Sequence, residues 1–200
     1  FFLFTGYAFQ NFGLWENEFY TSTTPSKSAF ITSISIIMVP IMLVIAGIQK
    51  VAFRIWTAIL LATIGLYLLL DPTGSGISLG DIFTFGCAIC FAIHIILQDY
   101  YAKKRIHVTR FFLIQVATVT TLSFICSFFF DTQPPTWSFE LINALLMTGI
   151  IATTIAILIM VWAQQILSPS QTALIFSLEP VFAALFSWIL ISELLGFWGW

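Results

Sequence analysis

What most constrains this chain is a succession of apolar runs, each about twenty residues long, with too little polar sequence between them to build a water-facing surface. Six such runs stand complete, at about 27–48, 51–70, 81–102, 108–130, 139–167 and 171–192. A helix rises about 1.5 Å per residue, so roughly 20 residues match a hydrocarbon core of about 30 Å. Composition agrees: 60% of residues are apolar and 8% charged, whereas soluble domains carry about 25% charged residues. The expected fold class is an all-α integral membrane protein, a polytopic helix bundle with short loops and no separate extramembrane domain. Its net charge of −2 says little about partners, and nothing in it suits nucleic acid.

The polar punctuation between the runs orders the chain. Residues 1–15 read as the second half of a helix, followed by a polar loop to Ser26, and Glu193 opens a stub of another helix. On this reading the chain is a piece cut at both ends. Gln49 and Lys50 alone separate the first two complete runs, whereas Asp71-Pro72-Thr73-Gly74-Ser75-Gly76 and Pro134-Pro135 mark longer loops. Cys87, Cys90 and Cys126 all lie inside apolar runs, so a disulfide framework is not expected. Basic residues collect on the cytoplasmic side of short loops. Lys50, Arg54, Lys103, Lys104, Arg105 and Arg110 share one side, and Glu16, Glu18, Asp71, Asp81, Asp131 and Glu140 share the other, with Lys27 the one basic exception. The basic side is therefore expected to face the cytoplasm.

Within the last complete run, Leu178-Glu179-Pro180-Val181 sets a carboxylate near mid-depth beside a proline. An ionisable group there costs about 3 kcal/mol on insertion scales and ordinarily faces a polar interior or a pathway. Pro180 cannot donate to the Phe176 carbonyl, so the helix kinks or an acceptor is freed, a device transporters use at binding sites. Glu179 is expected to be the functional acid, its charge state changing during a transport cycle; the alternative is a permanently neutral acid that donates one hydrogen bond to a carbonyl near the proline kink. The other polar residues at depth leave alternatives open. His94 either lines a pore or bonds to a neighbouring helix. Its spacing from Cys87 and Cys90 does not complete a metal site. Gln115, Thr118, Thr120, Thr121, Thr153 and Thr154 either line a cavity or join helices. Trp162 faces either a cavity or lipid. Gln10 and Asn11 are the polar residues of the first helix. Small residues four apart, Ala88/Ala92, Ala152/Ala156, Ala173/Ser177 and Ala183/Ser187, suit close helix packing.

A shift of 144 residues aligns the first complete run with the sixth: Pro25-Ser26 falls on Pro169-Ser170, Ala29 on Ala173, Ser33 on Ser177 and Ser35 on Glu179. On the charge-based orientation these segments cross in opposite senses, the mark of an inverted repeat. Gly80-Asp81 leading to Phe91-Ala92, Trp162-Ala163-Gln164, Ser168-Pro169 and the block from Ala173 to Ala184 ending at Glu193 together resemble the EamA family of the drug/metabolite transporter superfamily. The resemblance covers nearly the whole chain and is looser around Ala29–Ser33 and Val39-Pro40. It implies ten helices in two inverted five-helix repeats. Residues 1–70 would then belong to the first repeat and 80–200 to the second, cut at its last helix.

The function expected is secondary transport of small metabolites, amino-acid-like or drug-like, by alternating access, with proton coupling through Glu179. The candidate site residues are Glu179, Pro180, His94, Gln115, Ser177, Trp162, Gln10 and Asn11. A non-transporting assembly or anchor subunit is the alternative, and an intramembrane enzyme a weaker one: there is no serine elbow, nucleotide loop, zinc motif or pair of intramembrane carboxylates. No cofactor or metal is implied. The expected partners are a small-molecule substrate and the lipid bilayer, with a homodimer left open, in a bacterial cytoplasmic (inner) membrane.

Overall fold

The computed structural model describes residues 1–16, 18–23, 25–48, 50–70, 77–104, 107–130, 136–176, 178–179, 181–182, 185–186 and 189. Over these the apolar runs are helical. The elements are α1 (Phe2–Leu14), α2 (Pro25–Ser33), α3 (Ser35–Ile45), α4 (Phe53–Leu70), α5 (Leu79–Ala102), α6 (Val108–Phe130), α7 (Phe139–Leu146), a π-helical segment (Met147–Ile155), α8 (Ala156–Ala163) and α9 (Pro169–Phe176). Among the described residues four stretches are long and apolar enough to cross a bilayer: Lys27–Ile45, Leu79–Ala102, Val108–Phe130 and Phe139–Ala163. The loops at 71–76 and 131–135, the end of the sixth run and the Glu193 stub lie outside the described residues.

Helix α5 is the element on which the others pack, and its start is written locally. The Ser78 hydroxyl accepts from the Asp81 amide at 3.1 Å while Asp81 Oδ2 accepts from the Ser78 amide at 2.7 Å, a reciprocal cap for the first orphan donors. From there the helix runs 24 residues, about 36 Å. Thr84, Cys87, Ala88, Ala92, Ile95, Gln98 and Ala102 are buried along it, recurring at the three- and four-residue steps of one helical stripe. The Ala88/Ala92 pair is fully buried, as expected of small residues at a helix contact.

Glycines let α1 lie against this stripe. A Cβ on Gly13 would collide with the Thr84 hydroxyl and stand 2.9 Å from the Gly80 carbonyl, and one on Gly80 would stand 2.6 Å from the Gly13 carbonyl. Neither position has room for a side chain, so the two backbones approach as small-residue contacts in membranes do. Elsewhere the interior is made of three apolar clusters. One joins Val39, Leu43, Ala92, Ile95 and Ala173, a second Leu3, Phe112, Ile157 and Val161, and a third Ile36 and Ile59. In contrast α6 buries Phe112 alone and α7 buries no residue. Their apolar side chains are exposed, as in a helix whose outer side is not packed within the described residues.

Two local features differ from expectation. The first complete run is not a single helix from Lys27 to about Ile48. It breaks at Ile34 and ends at Ile45, before a turn in which Gly47 has φ 65°. The hydroxyls of Thr32 and Ser33 donate to the Ser28 and Ala29 carbonyls at 2.9 and 2.7 Å, competing with backbone donors, while Pro40 removes the donor for the Ile36 carbonyl. The second feature is the π-helix. Thr154 Oγ1 donates to the Gly149 carbonyl five residues back at 2.8 Å, matching the wider turn. That turn upsets four-residue spacing. Ala152 and Ala156 are exposed and line a cavity instead of packing helix against helix.

Helix α9 crosses antiparallel to α2 and α3. Ala173 packs with Val39 and Leu43, Leu174 lies against the cluster of Ile36, and Glu179 reaches the level of Thr32, Ser33 and Ser35. As one segment's numbers rise, its partner's fall.

Candidate substrate cavity

The break at Ile34 and the end of α9 face one another across a cavity of about 440 Å³. Tyr7 and Gln10 enter it from α1, Thr32, Ser33 and Ser35 from either side of the break, and Phe91 and His94 from α5. Ala152 comes from the π-helix, Ala156, Ile157 and Met160 from α8, and Phe176 and Glu179 from the last run. The ring of Tyr7 meets Phe91 edge-on with centroids 5.6 Å apart, and Thr153 faces the Tyr7 hydroxyl. Glu179 is exposed to this space. His94 Nε2 has no hydrogen-bond partner among the described residues.

Of the residues singled out from sequence, Glu179, His94 and Gln10 are brought together here. Ser35, which the 144-residue shift sets against Glu179, lines the same cavity. Asn11 is not part of it: Asn11 Nδ2 donates to the Tyr7 carbonyl at 3.0 Å, and the side chain lines a second space of about 830 Å³ between α1 and α6 with Ser123, Cys126, Ser127 and Phe130. Gln115 sits on α6 away from both, its amide buried and without a partner among the described residues. Trp162 is 59% exposed on α8 and lines neither cavity. Thr118 and Thr154 bond to their own helices, to Ile114 and Gly149. Ser177 and Pro180 lie outside the described residues.

Two buried amides were not singled out. Gln164 Nε2 donates to the Ile95 carbonyl at 3.1 Å, bolting the end of α8 to α5. Gln98 is buried one turn beyond His94, its amide facing the imidazole. Their sequence signal was a glutamine near the end of an apolar run, a place where it reads as a boundary. Cys87 and Cys90 are buried in the same helix as free thiols.

At the end of the bundle where α5 starts, Asp81 collects a dense set of donors. Lys27 Nζ approaches Oδ2 at 2.6 Å and the Thr23 hydroxyl donates to Oδ1 at 2.6 Å, with the Ser78 amide on Oδ2. Backbone bonds from the Thr23 amide to the Gly13 carbonyl and from the Gly80 amide to the Thr21 carbonyl close the same corner. Lys27, the basic exception in the charge pattern, is thus held by a carboxylate of its own side. At the opposite end Lys103 pairs with Asp99 at 2.6 Å, and Lys104 lies over the Tyr100 ring at 4.0 Å.

Apolar helices long enough to cross a bilayer, packed around a cavity that holds a carboxylate, define a multi-pass integral membrane protein. Comparison with known proteins names the class: residues 78–200 match the EamA-like transporter family, and the chain belongs to it. It is also 32% identical over 202 residues to a protein of Archaeoglobus fulgidus named an uncharacterized transporter. That alignment takes in 96% of this chain and 59% of the relative, so the chain spans well under two thirds of the relative's length. No solved structure matches.

Proposed function

We propose that the protein is a secondary transporter of small metabolites that works by alternating access around the cavity at Glu179. One observation carries the reading: polar side chains from the start, the middle and the end of the chain converge on a single space within otherwise apolar spans. A volume of about 440 Å³ falls in the range of about 300–1,000 Å³ typical of small-molecule sites. The convergence of Ser35 and Glu179 and the antiparallel course of their helices support an inverted repeat, with 1–70 and 80–200 as its two parts. Rocking of such halves exposes a shared site to each side in turn.

Glu179 is the acid of this cycle and couples it to protons. A carboxylate facing a space that is alternately wet and occluded gains and loses a proton as the space opens and closes. His94 and Gln10 orient the solute beside it. The charge pattern supports a cytoplasmic location for the Lys103–Lys104 end. In proteoliposomes with an imposed pH gradient, Glu179→Gln should lose gradient-driven accumulation while keeping solute exchange. Accumulation at the wild-type level in that variant refutes the coupling, and absence of flux for every solute in a metabolite panel favours the anchor reading.

A further inference from the structure

Building on that reading of the cavity as a solute site worked by alternating access, we infer that the Lys27–Asp81 pair is its gate at the end where α5 starts, closed in this structure and obliged to part before solute passes that end. Position is the first ground. Three helices that line the cavity bring their ends to this corner: α1 stops at Leu14, α2 begins at Pro25 and α5 at Leu79. Lys27 stands about 8 Å along α2 from Thr32, and Asp81 about 15 Å along α5 from Phe91. Between corner and cavity Thr84, Cys87 and Ala88 are fully buried, so the way in from this end is shut.

The second ground is that one of the three helices can leave. Glycines key α1 onto α5, Gly13 against Thr84 and Gly80, and Gly6 against Phe91. Helix α3 is anchored in the apolar clusters by Ile36, Val39 and Leu43. Helix α2 has neither hold: among its described residues Ser28 alone is buried, and it is joined to α3 through the break at Ile34, level with the cavity. A swing of α2 about that break draws Lys27 off Asp81 and leaves the packing of α3 intact. At the opposite end the charged contacts join no two helices, since Asp99 with Lys103 and Lys104 with Tyr100 all lie at the end of α5 itself.

Chemistry is the third ground. Two charges shut away from water hold each other strongly, whereas a pair open to water contributes little because water solvates both. The contact therefore holds while this end is dry and lets go once it is wet. Asp81 keeps the Ser78 amide when Lys27 leaves, so the start of α5 survives the opening.

Cys87 reports the state of this end. It is fully buried, stands two turns before His94 on the same face of α5, and lies within electrostatic reach of the Tyr7 hydroxyl. In purified protein carrying Cys90→Ala and Cys126→Ala, a small charged methanethiosulfonate should label Cys87 at least about tenfold faster in Asp81→Asn and in Lys27→Met than with the pair intact. Lys27→Arg, which keeps a cation, and Asp99→Asn, at the other end, should stay within about threefold. Because a variant can also label faster by misfolding, the second arm keeps both residues: a water-soluble carbodiimide condenses the Lys27 amine with the Asp81 carboxylate to an amide, the reagent taking up the water as its urea. Crosslinked protein, identified by mass spectrometry, should label at Cys87 at least about tenfold more slowly than uncrosslinked protein and carry no solute. Equal Cys87 rates across the charge variants overturn the inference, as does crosslinked protein that labels at the uncrosslinked rate. The two readings fail separately. Undiminished solute flux through crosslinked protein refutes the gate and leaves the carrier standing, whereas gated labelling with no flux for any solute refutes the carrier and leaves a gated cavity.

Discussion

Removing the charge at Asp81 while keeping its shape tests how much of the fold hangs on one corner. In Asp81→Asn the side chain keeps an oxygen for the Thr23 hydroxyl or the Ser78 amide and loses its attraction for Lys27, whose ammonium stands 2.6 Å from Oδ2 with side chains 15% and 6% exposed. Breaking a pair this enclosed from one side costs about 3–5 kcal/mol, because an enclosed charge loses the attraction that offset its desolvation. The retained acceptor puts Asp81→Asn at the lower end, about 3 kcal/mol. Lys27→Met leaves a carboxylate still held by Thr23 and Ser78 and should cost somewhat less, about 2 kcal/mol. The double variant removes both charges and should recover part of the loss, giving a coupling of roughly 1.5–3 kcal/mol. The assay is equilibrium unfolding of the four proteins in one detergent. A coupling below about 0.5 kcal/mol, the value of an exposed surface pair, refutes the view that this contact closes the bundle.

Gly80→Ala should destabilise by about 1–3 kcal/mol, since its methyl would overlap the Thr23 amide and the Gly13 carbonyl; an unchanged unfolding midpoint would show that α1 moves away freely. Trp162→Leu, at an exposed position outside the cavity lining, should leave flux within about twofold of the original, because an apolar exchange at an exposed position perturbs stability by about 0.5 kcal/mol or less. With the native cysteines removed, single cysteines at Lys104 and Thr136 should label differently: an impermeant thiol reagent added outside whole cells reaches position 136 and not 104, and the reverse pattern inverts the orientation.

Four of the spans were legible because each of those runs matches a bilayer in length, whereas the caps that start two helices, Ser78 with Asp81 and Ser168 with Gln171, were not singled out. Neither the break at Ile34 nor the π-helix was legible. In a segment apolar on nearly every face, hydrogen-bond register leaves no period in the hydrophobic pattern, and the hydroxyls of Thr32, Ser33 and Thr154 choose a carbonyl only once the backbone is set. Glu179 was found because an acid in an apolar run is costly wherever it points. Its neighbours were harder: Ser35 was reachable through the internal repeat, while Tyr7 and Thr32 are ordinary residues of apolar helices until the tertiary fold turns them inward. Lys27 and Asp81 showed as charges of one side, yet hydropathy has no means of pairing residues 54 positions apart.

That separation has a consequence in the order of synthesis. Lys27 leaves the ribosome long before Asp81, and while α2 to α4 are being inserted its charge has no carboxylate of this corner to answer it. Under the positive-inside tendency it draws its loop toward the cytoplasm, against the sense demanded by the basic residues that follow. The corner closes only when α5 arrives. Its helix cap and ion pair then form on the same carboxylate, so the start of α5 and the placement of the earlier loop are settled in one event.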